Sequence, residues 1–395
     1  MQSQPLEIDT NKSSAYAIEM NQDEDNTTQL LTLNDATPLT RLLVRCQPAR
    51  SFKNKLFYMI VTIFQFSLFN YIVIGVGIIG VSALGFALAV WAPLAAIMEP
   101  LLQPTIAKHG TPYHDFLFSN KRTLVQFDKT CKKHIVKGLF TNIIIMTIVY
   151  GFIVIPMYGT LTLGIYNDAI IITFIFTSFI AAELNVFLTA GHKVMTKMFS
   201  EYRAERIREY VGYVHNTLLN NEDPEIGTKL KALTKEQRKV ETFARTANRS
   251  QGRMFASKFV TNATWFIILL ISAALVTTSE GTKNKLRPLL VLSVMLSLMT
   301  ASTIRLMSQV TAPSREWNLS VQEQLNDASL APIVTTLFGR RADFNLWLDS
   351  HELAAQRILG SKVSIERLGQ VGSLLISGVL IVIYFVLRDE LRGLL

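Results

Sequence analysis

The chain has few charged residues and almost no cysteine. Only 17% of its 395 residues are Asp, Glu, Lys or Arg, against about 25% in ordinary soluble domains. Its two cysteines exclude a scaffold held together by disulfides. The net charge of +9 would suit nucleic acid, but the low charge density and the positive mean hydropathy argue against that partner. The composition instead indicates a multi-pass protein whose surroundings are the lipid bilayer.

The sequence also lacks the common catalytic and metal-binding motifs. His-Glu-x-x-His, Gly-x-Ser-x-Gly and the phosphate-binding Gly-x-x-x-x-Gly-Lys-Ser/Thr pattern do not occur, and none of the six histidines forms a convincing metal pair. Residues 75–80 formally match the dinucleotide fingerprint, but a long apolar run surrounds them where that motif requires a βαβ unit. We therefore expect no enzymatic activity, no bound metal and no cofactor.

Long apolar runs are the dominant feature that is present. A transmembrane helix requires about 20 apolar residues. Runs of suitable length lie at about 135–157, 169–190, 259–276, 289–303 and 371–387. The run 56–98 is long enough for two helices, with a break expected near Gly75, Gly77 and Gly80. The sequence thus predicts an all-α membrane protein with seven transmembrane helices.

Positive charge is distributed unevenly between the two sides of this topology. Of the 39 Lys and Arg residues, 34 fall in the N-terminal segment and in the loops 99–137, 191–258 and 305–368, which seven spans place on one side. Only 5 fall on the other side. Because cytosolic loops carry an excess of Lys and Arg, we expect the N-terminus in the cytosol and the C-terminus outside the cell.

The predicted organisation has six parts. These are a disordered acidic tail (1–38), transmembrane helices 1–4 (39–190), a cytosolic extension of helices 4 and 5 (191–257), transmembrane helices 5 and 6 (258–309), a cytosolic helical segment (310–366), and transmembrane helix 7 with a short extracellular tail (367–395).

The cytosolic parts show amphipathic patterns. We expect the fourth helix to continue through Gly191 into the cytosol, Pro313 to break the chain after the sixth, and Ile358 to lie in an amphipathic helix. Because such helices are marginal in isolation, they are expected to pack together, or on neighbouring subunits, as an anchor bundle below the membrane.

Polar side chains inside the spans are few. Glu183 in the fourth span is the main ionisable group, and an intramembrane carboxylate is either a functional site or a hydrogen-bonded packing residue. Gln65 in the first span and Asn142 in the third leave a similar choice. They line a small-molecule cavity, or they hold helices together by hydrogen bonds.

Small polar residues recur along the seventh span. Gln370, Ser373, Ser377 and Tyr384 share one helical face, which Leu380 or Ile381 completes. Such a stripe suits a hydrated pore with an apolar gate, or a tight helix contact. Asp389 and Glu390 follow at the outer mouth, where they would concentrate cations, although Arg388 and Arg392 weaken that effect.

Certain local sequences are similar to those of a known family. Residues 344–348 read Phe-Asn-Leu-Trp-Leu, Val363-Ser364-Ile365 follows, and Gly372-Ser373-Leu374-Leu375 opens the last span. With the predicted layout over 40–395, these residues resemble the insect gustatory and odorant receptor superfamily, and most closely its gustatory receptor-like relatives outside the insects. Of the family's usual C-terminal pattern, only Tyr384 is matched.

The resemblance implies a plasma-membrane, ligand-gated, non-selective cation channel that is a homotetramer. It also implies that the last helix lines the pore and that a small-molecule pocket lies among the outer halves of the first six spans. By position, that pocket would include Asn70, Trp91, Tyr150 and Tyr166.

Three alternative functions stay open at this point. The first is a transporter or lipid-handling protein that uses Glu183. The second is a structural homologue of the receptor family without channel activity. The third is a receptor coupled to cytosolic partners through residues 191–257.

Overall fold

A computed structural model describes the part of the chain on which the following account is based. It covers residues 31–75, 106, 111–149, 168–219 and 283–325, with single positions between 237 and 254 and between 335 and 388. Within these ranges the chain is mostly helical, which confirms the helical class expected from the sequence.

Six α-helices can be followed continuously. They are α1 (Pro38–Arg45), α2 (Phe52–Gly75), α3 (Pro112–Leu117), α4 (Lys121–Val149), α5 (Asp168–Leu219) and α6 (Lys283–Ser320). Short 3₁₀ turns at Leu33–Asp35 and Pro48–Arg50 flank α1, and a π turn at Val321–Leu325 extends α6.

The fold is organised around α5, which has 52 residues and is therefore about 78 Å long. It contains no proline, and Gly191 lies within it without interrupting it, so the predicted continuity through this glycine is confirmed. A Cβ at position 191 would lie 3.7 Å from Leu43 of α1 and 3.9 Å from Phe127 of α4. Along its length α5 contacts α1, α2, α3, α4 and α6.

The main apolar core lies where α1, α3 and α4 meet the middle of α5. Its fully buried side chains include Phe118, Phe127, Cys131 and Met195. Burial raises the pKa of the Cys131 thiol, so this cysteine is an inert core residue. A smaller cluster, with Tyr58 as its largest member, joins α2 to the N-terminal half of α5.

The segment just before α1 is folded, so the predicted disordered tail of 1–38 was too long at its C-terminal end. Leu31 and Leu33 pack on the main core. Thr37 caps α1, and both its hydroxyl and that of Thr40 donate to the carboxylate of Asp128 on α4. The reason is that α4 offers a carboxylate acceptor for these two hydroxyls, and the main core offers an apolar surface for Leu31 and Leu33. Residues 1–30 lie outside the described ranges.

Pro313 does not break the chain, contrary to the prediction, because α6 continues past it to Ser320. A proline in a helix removes the N–H that would bond the carbonyl four residues earlier. Here that carbonyl belongs to Gln309, and it accepts a hydrogen bond of 2.5 Å from the hydroxyl of Ser200 on α5. The neighbouring helix thus replaces the donor that the proline removes.

The prediction for Ile358 was also wrong, because this residue lies in a strand. Strand β1 (Arg357–Ile358) pairs antiparallel with β2 (Ser361–Lys362). Ile358 and Ser361 are partners across only two intervening residues. This tight pairing is a local hairpin, in which the backbone hydrogen bonds run between two strands.

Among the residues that the structure describes, no helix combines the length and the apolar character needed to cross a membrane. The predicted run 259–276, and the parts 76–98 and 150–157 of two other predicted runs, lie outside the described residues. The seven-span arrangement therefore stays a prediction.

The pairing of Ser200 with Pro313 can be tested by a double-mutant cycle. S200A leaves the Gln309 carbonyl without its donor, which should lower the free energy of unfolding by about 1–3 kcal/mol. In a P313A background the new backbone N–H of residue 313 donates to the Gln309 carbonyl. The loss of unfolding free energy caused by S200A should therefore be smaller than in the proline background by about 1 kcal/mol or more. Denaturant unfolding of the four purified proteins measures the difference.

Ser308 offers a matched control, since its hydroxyl donates only to the Arg305 carbonyl within α6 at 3.1 Å. S308A should have the same small effect with either residue at position 313. An equal cost of S200A in both backgrounds would contradict the proposed compensation.

Candidate functional site

All six residues of the predicted pore stripe are helical and exposed in the single chain. They are Gln370, Ser373, Ser377, Leu380, Ile381 and Tyr384. Leu374 and Ile376, which flank the stripe, are 71% and 64% exposed. The helix therefore leaves both its polar stripe and its apolar flanks accessible, and this accessibility fits either of the two alternatives, pore or packing surface.

The predicted pore mouth and ligand pocket lie outside the part of the chain that the structure describes. Asp389, Glu390, Trp91, Tyr150 and Tyr166 lie outside the described residues. Asn70 lies on α2, but its side chain is also outside them. The proposed ligand pocket and the outer mouth of the pore thus remain sequence predictions.

Glu183 lies at a close contact between α4 and α5. Both of its carboxyl oxygens are buried, and neither has a hydrogen bond of ordinary geometry to any residue that the structure describes. The polar group beside them is the side-chain amide of Asn142. One turn further along, a Cβ at Gly138 would lie only 2.5 Å from Cγ1 of Val186. Glycine is therefore needed for the two helices to approach this closely.

A second polar contact joins α2 to α5. The Asn185 amide donates to the side-chain oxygen of Gln65, and its own oxygen accepts from the Tyr58 hydroxyl at 3.4 Å. Nearby, the Ser178 hydroxyl donates to the Phe64 carbonyl at 3.1 Å. Gln65 thus holds two helices together, which is one of the two roles left open for it by the sequence.

A buried ion pair lies further along α5. Arg203, which is 3% exposed, donates from Nε and Nη2 to the two carboxylate oxygens of Glu241, at 3.1 and 2.7 Å. Gln237 donates to the same carboxylate at 3.3 Å. Because the arrangement is bidentate and buried, the ion pair connects α5 to the segment around Glu241 and has a structural role.

A buried hydrogen-bond network lies next to this pair. Gln251 donates from its amide to the Tyr113 hydroxyl, and to the Thr196 hydroxyl at 3.0 Å. Burial raises the pKa of Tyr113, so its hydroxyl stays neutral. Phe199 packs edge-on against the Tyr113 ring, with ring centroids 5.6 Å apart. The network fixes how α3 and the Gln251 region sit on α5.

Between these groups and α6 lies a cavity of about 10 Å³, which has room for about one water molecule. Thr196, Ser200, Arg203, Gln251 and Pro313 are among the residues that line it. It is too small for an organic ligand. In the described part of the chain, no cluster of three or more His, Cys, Asp or Glu side chains has the arrangement of a metal site.

Sequence reasoning missed Arg203 and its partners, although a signal was present. Arg203 lies four residues after Phe199 and four before Ile207, both of which are buried. A charged residue in the middle of an apolar helical stripe is the pattern that indicates a buried, paired charge.

Comparison with known proteins identifies no relative. No protein-family model, no curated protein and no solved structure matches the chain. The functional argument therefore depends on the sequence and on the geometry described above.

The ion pair between Arg203 and Glu241 gives a stability prediction. R203M leaves a buried carboxylate without its partner, so it should lower the free energy of unfolding by about 3–5 kcal/mol. The double variant R203M/E241L removes both charges and should recover most of that loss. Denaturant unfolding of the purified chain measures both.

The matched control is the pair of Arg208 with Glu316, which joins α5 to α6 at 2.7 Å, with the Arg208 side chain 62% exposed. Because exposed pairs contribute little, R208M should cost at most about 1 kcal/mol. If R203M were as mild as R208M, the buried pair would not have the structural role assigned to it.

Proposed function

We propose that this chain is a chemoreceptor-like membrane channel, ligand-gated and non-selective among cations, that works as a homotetramer in the plasma membrane. The observation that carries the proposal is that all six residues of the stripe between Gln370 and Tyr384 are exposed in the single chain. The resemblance of residues 344–387 to the gustatory and odorant receptor superfamily supports the same function.

Exposed apolar side chains support a membrane environment. On α2, Phe57 and Phe64 are 48% and 47% exposed. On α4, Val136 and Phe140 reach 67% and 65%. Contiguous apolar surface of this kind is unfavourable in water and is typical of an interaction or membrane surface. Lipid chains would cover these faces without requiring a protein partner.

The last helix has the chemistry that a channel gate requires. In a fourfold assembly, Ser373 and Ser377 would line a hydrated path on the cytosolic side, and Leu380 with Ile381 would form an apolar constriction nearer the outer mouth that closes by dewetting. Leu374 and Ile376 would then lie at contacts between neighbouring helices, where their exposed surface becomes buried. The polar stripe would thus line the pore, and the apolar flanks would form the contacts between subunits.

Cysteine substitution along the last helix tests this proposal. A charged, membrane-impermeant thiol reagent should block whole-cell currents through S373C, S377C and I381C, because these positions face the pore. L375C, V379C and V382C face away on a helix of 3.6 residues per turn and serve as matched controls. Currents are recorded without ligand and with a panel of small organic molecules.

The unsubstituted chain should be insensitive to this reagent applied outside, since Cys131 is buried and both native cysteines are predicted to be cytosolic. Modification without helical periodicity would count against a pore-lining helix. Absence of any current from a tetramer would favour the structural homologue without channel activity.

The burial of the Glu183 carboxyl oxygens favours one second candidate, a transporter or lipid-handling protein that uses this carboxylate. In that case E183Q should abolish uptake. In the channel proposed here, E183Q keeps the current and its cation selectivity, because Glu183 is not part of the stripe from Gln370 to Tyr384.

Current recording and radiolabelled-substrate uptake in the same cells separate the two functions. N142L is the matched control for the helix contact, because it removes the neighbouring amide and keeps the carboxylate. Loss of current in E183Q, with N142L unaffected, would contradict the channel assignment.

A further inference from the structure

We propose that the middle parts of α4 and α5, around Lys137 and Lys197, bind an anionic phospholipid, with the lipid phosphate held by lysine side chains and an acyl chain lying along α4. This inference rests on the membrane placement proposed above. It goes beyond channel activity, because it assigns a lipid site to the cytosolic boundary of the bilayer.

Positive groups from two helices converge at this place. His134 and Lys137 belong to α4, and Lys193 and Lys197 belong to α5. Burial lowers the pKa of His134 to about 4, and the charges of Lys193, Lys137 and Lys197, in that order, contribute to the shift. Because α4 packs against α5, with Gly138 next to Val186, these basic residues lie on two neighbouring helices.

The acidic groups near the cluster only partly balance it. Lys197 pairs with Glu201 at 3.5 Å, but these side chains are 43% and 61% exposed, so the pair is weak. Asp128 is engaged by Lys132, Thr37 and Thr40. A phosphate would meet strong ammonium donors here, and the neutral imidazole of His134 offers one further N–H.

An apolar surface begins directly beside the lysines. Lys133 and Lys137 are exposed on α4, and Phe140 and Ile144 continue the same face at 65% and 45% exposure. Ile148, at 43%, ends the described part of this face. From Lys137 to Ile148 the helix rises about 16 Å, and one leaflet of the hydrocarbon core is about 15 Å thick.

This match in length decides between possible occupants. A free phosphate or an acidic peptide would use the lysines and leave the apolar face uncovered. A phospholipid uses both surfaces, with its headgroup at the lysines and its chain on Phe140 and Ile144. Basic pockets between transmembrane helices on the cytosolic side are known to hold anionic headgroups.

The experiment uses the full chain, purified in detergent and titrated with phosphatidylserine or phosphatidylcholine. Native mass spectrometry counts the lipids retained. The wild-type chain should retain phosphatidylserine preferentially. K137Q/K197Q should weaken phosphatidylserine binding about tenfold or more and leave phosphatidylcholine binding unchanged.

The matched control is K121Q/K129Q, which removes the same charge from exposed positions of α4 that lie further from the apolar face. It should behave like the wild-type chain. An equal loss of phosphatidylserine binding in both double variants would overturn the proposed site, since it would indicate a general effect of net charge. Displacement of the lipid by millimolar glycerophosphate alone would also overturn it and would identify a free-phosphate site.

Two further measurements keep this proposal separate from the proposed function. Extraction of membranes at alkaline pH shows whether each variant is integrated in the bilayer, and a photoreactive acyl chain on phosphatidylserine maps the contact. Crosslinking should fall within residues 136–148 of α4. An integrated chain without this crosslink would overturn the lipid site alone, while a chain that is extracted would overturn the membrane placement as well.

Discussion

The packing of other elements against α5 is the constraint on which the described structure depends. Five helices contact it, and α1 and α3 are too short to be stable alone. The core around Phe127 and Met195 forms only because α5 runs uninterrupted past Gly191. A break in α5 at that position would separate the apolar clusters on either side of it.

Buried polar groups determine which element packs at which level of α5. Asn185 is matched by Gln65, Thr196 by Gln251, Ser200 by the Gln309 carbonyl, and Arg203 by Glu241. Because an unsatisfied buried polar group is costly, a helix shifted by one turn would lose its partner and leave two groups unpaired. Apolar contacts alone tolerate such shifts better. These side chains therefore specify the register of the assembly.

The sequence predicted those features that depend on local pattern. The helical class and the continuity of α5 follow from apolar periodicity and from the absence of proline between Asp168 and Leu219. It failed where a distant residue decides the outcome. Pro313 remains helical because Ser200, more than 100 residues earlier, supplies a donor, and Thr37 is ordered because Asp128 accepts from it.

The candidate site shows the same division. The face shared by the residues from Gln370 to Tyr384 can be read from spacing alone, and the structure places each of them in a helix. The partners of Arg203 and Gln65 cannot be read in this way, because an interhelical contact depends on which helices become neighbours. A charge within an apolar stripe indicates that a partner exists, without naming it.

Two helices, α2 and α4, change from basic to apolar sequence at nearly the same level of α5. Tyr58 of α2 contacts Asn185, and Gly138 of α4 lies against Val186, the next residue of α5. Lys55 comes one turn before Tyr58, and Lys137 immediately precedes Gly138. Residues that are distant in sequence thus bring the two changes side by side, because the contacts with Asn185 and Val186 fix the level at which each helix packs on α5.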